Sequence, residues 1–222
     1  MGLSAFDIIG PIMIGPSSSH TAGAVRLGQM ARTILNQEPV QAKIYLHGSF
    51  AETYKGHGTN LAIVAGLLGM KTDDEKIPDA LVHAARTGFV PEFIPADLGP
   101  VHPNTVRLEV LGREGRMAVV TGSSVGGGRI LVTEIDGFPV ELSGDYNTLM
   151  VVHQDQPGVV AQVTTLLAAA QVNIAQMRVS RLKKGAIALA VLETDHVVEA
   201  PLLEMVRRLP AVTLAMAAIP LA

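Results

Sequence analysis

Residues 153–181 read HQDQPGVVAQVTTLLAAAQVNIAQMRVSR. Pro157-Gly158 marks a helix entrance, and apolar residues at 159, 160, 163, 166, 167 and 170 form one stripe along a helix from Val159 to Ala170, suited to covering a sheet. A β-rich run, Thr148 to His153, precedes it. Strands Val172 to Ser180 and Ala186 to Thr194 follow, then a helix from Glu199 to Arg208 and a strand from Val212 to Ala218. The order βαββαβ is the split βαβ, or ferredoxin-like, arrangement, so 148–222 is predicted to be a small domain of its own.

Working back from it, Ser143-Gly144-Asp145 is a short polar joint, and 1–143 reads as a first α+β domain. The segment Phe6 to Gly15 is apolar, with Gly10 and Pro11 in its middle. It leads into GPSSSHTAGAVRLG, 15–28, where a helix begins with Ser19 or Thr21 as N-cap and with Ala24, Leu27, Ala31 and Ile34 on one face. The small residues Ala22, Gly23 and Ala24 allow close approach to its first turn. Ala42 to His47 alternates as a strand, GSFAETYKGHGTN reads as a loop, and Leu61 to Gly69 is a buried helix. Pro78 and Gly88 bracket a helix from Asp79 to Thr87. An antiparallel meander closes the domain: Val106 to Leu111, Met117 to Thr121, Ile130 to Ile135 and, across the Asp136-Gly137 turn, Phe138 to Leu142.

Composition narrows the function. The 222 residues carry 17 Lys+Arg against 20 Asp+Glu, and only 4% are aromatic, which argues against a nucleic-acid surface. Charged residues make up 17% and hydrophobic ones 48%, which points to extensive burial. There is no Cys, which removes disulfides, a thiolate nucleophile, a Cys-based zinc site and self-sufficient ligation of an iron–sulfur cluster. No apolar run reaches the roughly 18 residues of a membrane span, and the N-terminal segment lacks the basic start of a signal peptide, so a soluble cytoplasmic protein is expected.

Two polar, Gly-containing loops each run into a helix start. One holds Ser17, Ser18, Ser19, His20 and Thr21; the other holds Lys55, Gly56, His57, Gly58, Thr59 and Asn60. Free N–H groups and the positive end of the helix dipole favour anions there, and hydroxyls and a lysine add to that preference. Each loop could hold a carboxylate, and a histidine with an ordinary pKa near ~6.5 exchanges protons at cellular pH. Taken singly, each loop is an ordinary cap or turn; the repetition of hydroxyls plus His at two helix entrances favours function. A Ser-His hydrolase fits poorly, because Ser19 and His20 are sequence neighbours and no G-x-S-x-G elbow exists. None of the seven histidines shows close ligand spacing, so no metal site is assigned to the protein alone. Gly126-Gly127-Gly128 reads either as an anion nest or as a glycine bulge between strands. In the second domain, backbone amides near Gly158 together with Asn173 could hold a small ligand, with an ordinary helix entrance and Asn turn equally open.

The segments IIGPIMIGPSSSHTAGAVRLG, HGSFAETYKGHGTN, HPNT and SVGGG, followed by HQDQPGVVAQVTTLL and VNIAQMRVSR, resemble the β chain of two-subunit bacterial L-serine dehydratase along essentially the whole chain. The first domain is similar to the anion-binding intervening domain of some phosphoglycerate dehydrogenases, and the second to an ACT domain. The resemblance implies conversion of L-serine to pyruvate and ammonia in amino-acid catabolism and gluconeogenesis, by an oxygen-sensitive 4Fe-4S cluster without pyridoxal phosphate. The cluster ligands in that family are cysteines of the α chain, so the Cys-free sequence implies a Cys-bearing α subunit as partner. It further implies that Ser17, Ser18, Ser19, Thr21, Lys55, Thr59 and Asn60 orient the substrate carboxylate while His57 or His20 moves the proton. The family carries Asp after GHGT where this chain has Asn60, and an amide cannot act as acid or base. ACT units pair side by side, so a homodimer is expected. The competing expectation is a non-catalytic ACT-type amino-acid sensor.

Overall fold

The computed structural model describes residues 12–221. The first part of the apolar N-terminal segment, Phe6 to Pro11, lies outside them. The chain divides into two compact units between Asp136 and Gly137, the second running to Pro220.

In the first unit a π-helical turn, Ser18–Ala22, runs directly into helix α1, Gly23–Leu35. The N-cap is Ser17, whose hydroxyl accepts the His20 backbone N–H, and not Ser19 or Thr21, which fall inside the turn. The apolar face expected for α1 is the buried one: Ala24, Leu27, Ala31 and Ile34 are at most 1% exposed. Strand β1, Pro39–Leu46, then leads to a short helix α2, Gly48–Thr53, where sequence reading saw only a loop. Gly48 takes a left-handed φ of 53° and sits against Pro103, and that bend starts the helix. Helix α3, Thr59–Leu67, is buried on nearly every side, as expected. A 3₁₀ turn, Ile77–Asp79, enters α4, Ala80–Thr87, which ends at the left-handed Gly88.

Strand β2, Val90–Pro95, pairs parallel with β1 and was not legible in advance: its two prolines argue against a strand, yet both are tolerated at a sheet edge. Strands β3, Thr105–Gly112, β4, Met117–Gly126, and β5, Arg129–Ile135, form the expected antiparallel meander. Within this unit the sheet order is β2-β1-β3-β4-β5; the next strand in the chain, β6, is Phe138–Leu142. Helices α1 and α3 cross closely: a Cβ on Gly28 would stand 2.3 Å from the Ile63 carbonyl oxygen, and one on Gly66 2.0 Å from that of Val25.

The second unit holds strands β7, Asn147–Gln154, β8, Ile174–Arg181, β9, Ile187–Thr194, and β10, Val212–Ala218, in the order β10-β7-β9-β8, all antiparallel. Helices α5, Val159–Ala169, and α6, Ala200–Arg207, cover one face around Leu149, Val151, Leu167, Leu192 and Val206. This is the ferredoxin-like order read from the sequence. β6 belongs to this unit, since the Ser180 hydroxyl donates to the Pro139 carbonyl and Arg178 pairs with Glu141. No helix of the described residues is long and apolar enough to cross a membrane.

Candidate active site

The π turn widens the backbone between Ser17 and Gly23, as π segments at functional sites do, and presents His20 and Thr21 from consecutive positions. The Gly23 N–H donates to the Ser18 carbonyl, and a Cβ at Gly23 would meet Ser124 Oγ at 2.1 Å, so only glycine lets the turn seat on β4. The small residues flagged in the sequence serve that approach. The second loop returns from α2 through Lys55, Gly56 and His57 to Gly58, whose φ of 69° starts α3.

The two loops meet. The rings of His20 and His57 lie edge to face with centroids 5.0 Å apart, and the Phe50 ring is also edge to face with His20, at 5.3 Å. Both nitrogens of His20 have hydroxyl neighbours: Nδ1 lies 3.4 Å from Ser17 Oγ and Nε2 lies 3.1 Å from Ser49 Oγ. His57 is exposed, and among the described residues its ring makes no hydrogen bond. Burial, and secondarily the charge of His57, hold the His20 pKa below its ordinary value.

A cleft of about 300 Å³ opens beside the pair, with Thr21, Lys55 and His57 on its polar side and Ile14, Leu61 and Ile77 on its apolar side. Thr21 is only 2% exposed, and its hydroxyl has no protein partner. Lys55 sits 5.7 Å from the Tyr54 ring centroid, and Tyr54 stacks on Phe93 of β2. The cleft offers the Lys55 cation and the His57 imidazole, groups suited to a small carboxylate, while the Thr21 hydroxyl at its lining is buried.

Other residues of the expected carboxylate set lie elsewhere. Ser17 is engaged with His20; Ser18 and Ser19 are half-buried and do not line the cleft. Thr59 is fully buried with an unpartnered hydroxyl, and Asn60 Oδ1 is likewise buried and unpartnered. Both belong to the first turn of α3, whose packing turns them away from the opening. Ser49 and Phe50 were missed because the glycine-rich composition of 48–60 masked the short helix that carries them. The one signal available was S-F-A-E-T, five consecutive residues without a helix breaker.

His47 Nδ1 accepts the Leu98 N–H and His102 Nδ1 accepts the Asn104 N–H, so both serve loop structure. Among the described residues no group of three His, Cys, Asp or Glu side chains is placed to hold a metal ion. Gly126-Gly127-Gly128 form the β4–β5 turn with a register shift, and the Gly128 carbonyl accepts from Arg26 at 3.2 Å. The register shift fits the bulge reading of these glycines.

In the second unit Gly158 and Asn173 stand at opposite ends of one helix within a single chain. Gly158 caps the start of α5 with a φ of 91°, while Asn173 follows its end and donates to Asp195 at 2.7 Å. A helix of that length separates them by about 16 Å at a rise of ~1.5 Å per residue.

Residues 4–135 match the family model described as serine dehydratase beta chain, and residues 147–211 match the ACT domain model. The chain is 45% identical over 207 residues to the probable L-serine dehydratase, beta chain, of Bacillus subtilis (strain 168), covering 93% of this chain and 94% of that one. It is 39% identical over 193 residues to the L-serine dehydratase, beta chain, of Peptoniphilus asaccharolyticus, covering 86% and 87%. With the L-serine dehydratase of Mycobacterium bovis it shares 33% identity over 160 residues, which is 62% of this chain and 34% of that longer protein.

Proposed function

Because the chain belongs to the serine dehydratase β-chain family, we propose that it is the β subunit of an iron-sulfur-dependent L-serine dehydratase, converting L-serine to pyruvate and ammonia with a Cys-bearing α subunit. The observation that carries this reading is the contact of His20 with His57 beside a cleft holding Lys55 and the unpartnered Thr21 hydroxyl.

The chain has no cysteine and no grouping of metal ligands among its described residues, so its own side chains do not fit a 4Fe-4S cluster. Cysteines of the α subunit are assigned to hold it. The match to only 34% of the longer M. bovis L-serine dehydratase supports a division of labour in which another polypeptide supplies the remainder.

This chain's part is to bind and to move a proton. Lys55 and Thr21 hold the serine carboxylate at the cleft, and desolvation by Ile14, Leu61 and Ile77 strengthens that pairing. The imidazole pair takes the α-proton, the Cα–H electron pair forms the Cα=Cβ bond as hydroxide leaves Cβ, and the hydroxide takes up a proton to depart as water; a positioned base is worth typically about 10²–10⁴-fold. The resulting aminoacrylate tautomerises and hydrolyses to pyruvate and ammonia. In this reading the protein is cytoplasmic, acts in amino-acid catabolism leading to gluconeogenesis, and pairs as a homodimer through its ACT unit.

The test is anaerobic co-expression with a Cys-bearing α chain and iron. Pyruvate should form from L-serine with both chains and with neither alone. Replacing both His20 and His57 by Gln should lower kcat at least about 100-fold; an unchanged rate would remove the imidazole pair from the proposal.

A further inference from the structure

We propose that Ser49 is a positioning residue that fixes the His20 ring through its Nε2 and, by the edge-to-face contact, sets the orientation of His57. The proposal rests on the reading of the His pair as the proton-transfer group.

The hydrogen bonds give the arrangement a direction. Ser17 Oγ accepts the His20 backbone N–H at 3.3 Å, which leaves the hydroxyl proton of Ser17 free to point at His20 Nδ1. With Nδ1 as acceptor, the ring proton of a neutral His20 sits on Nε2 and is donated to Ser49 Oγ at 3.1 Å. Neutrality fits the lowered pKa of this half-buried ring. The titratable groups on the facing loop are His57 and Lys55, both cationic when protonated, and neither favours a charge on His20.

Ser49 is itself held. It sits in the first turn of α2, and its carbonyl accepts the Thr53 hydroxyl at 2.7 Å. Its neighbour Phe50 is fully buried, with its ring edge to face with His20 at 5.3 Å between centroids. His20 is thus clamped by two hydroxyls and an aromatic ring from segments about 30 residues apart. His57, its ring exposed and without a hydrogen bond among the described residues, is oriented by the ring it leans on. A base misplaced by about 1 Å can lose on the order of 10²-fold in rate, so the support of His57 bears directly on turnover.

The experiment compares Ser49→Val with Ser49→Thr, two side chains of the same shape of which only threonine keeps the hydroxyl; Ser49→Ala replaces the valine variant if that fails to fold. In the full-length chain, ¹⁵N spectra of the imidazoles should show a single Nε2–H tautomer for His20 in the wild type and Ser49→Thr. In Ser49→Val that signature should be lost and the His57 ring shifts displaced. In the enzyme reconstituted with its α partner, Ser49→Val should lower kcat about tenfold or more with KM within about twofold, and Ser49→Thr should retain most of the rate. Superimposable His20 and His57 ring spectra in the wild type and Ser49→Val would overturn the proposal. If the reconstituted pair makes no pyruvate at all, the functional reading fails, while the spectra still decide whether Ser49 positions the rings.

Discussion

His20 concentrates the chemistry of the first unit at a single side chain. Burial and the neighbouring His57 both disfavour its protonated form, so the folded chain binds this proton less readily than the unfolded one. The stabilising contribution is therefore full above the unfolded pKa of about 6.5 and is lost as pH falls below it. Three outcomes follow by NMR titration and urea unfolding. His20 should titrate below its ordinary value, and His57→Gln should move it upward by removing the facing positive charge. The drop in unfolding midpoint from pH 7 to pH 5 should be smaller in His20→Gln than in the wild type. An unmoved His20 titration in His57→Gln would contradict the coupling. The sequence exposed both histidines as candidates, because hydroxyls and glycines around a His at a helix entrance are a local pattern. It concealed Ser49, whose part depends on a partner 29 positions away in the chain.

Among the elements, the crossing of α1 and α3 does most to bring the two loops together. It rests on Gly28 and Gly66, where backbones approach so closely that a Cβ on Gly66 would also stand 2.8 Å from the Gln29 nitrogen. Alanine is better than glycine by about 1 kcal/mol within a helix, yet here the clash is with backbone, which cannot rotate away. Gly66→Ala should therefore destabilise the chain by about 1–3 kcal/mol in urea unfolding and should broaden or shift the His20 and His57 resonances. A stabilised Gly66→Ala variant would show that the helices can separate without cost. Periodicity made α1 legible in the sequence, a run apolar on nearly every side did so for α3, and the Pro78 and Gly88 bracket for α4. β2 and α2 were not, because local signals opposed them: two prolines in the one, a glycine-rich surround in the other. Pairing with β1 and packing against Pro103 overrode those signals.

At the scale of the whole chain the division lies between Asp136 and Gly137, ahead of β6, whereas the polar joint at 143–145 pointed to a later one. β6 brings Phe138, Val140 and Leu142, all buried, together with its bonds to β8. Two fragments test this assignment. Residues 137–222 should unfold cooperatively by circular dichroism. Residues 148–222, lacking β6, should be less stable by roughly 2 kcal/mol or more, the worth of one to two buried apolar side chains. Equal stability of the two fragments would return β6 to the first unit.

The sequence by itself determined the kind of most long elements, the α+β class, the ferredoxin-like order of the second unit and the absence of cysteine. All of these are local or compositional, written in periodicity, turn residues and a missing residue type. The tertiary structure alone decided that His20 meets His57, that Ser17 caps a π turn, that Ser18 and Ser19 stay out of the cleft and that Gly158 and Asn173 stand at opposite ends of a helix. Contacts between segments remote in the chain are set by how helices and sheets pack, and the approach of Gly28 to Gly66 fixes a distance that no local pattern encodes.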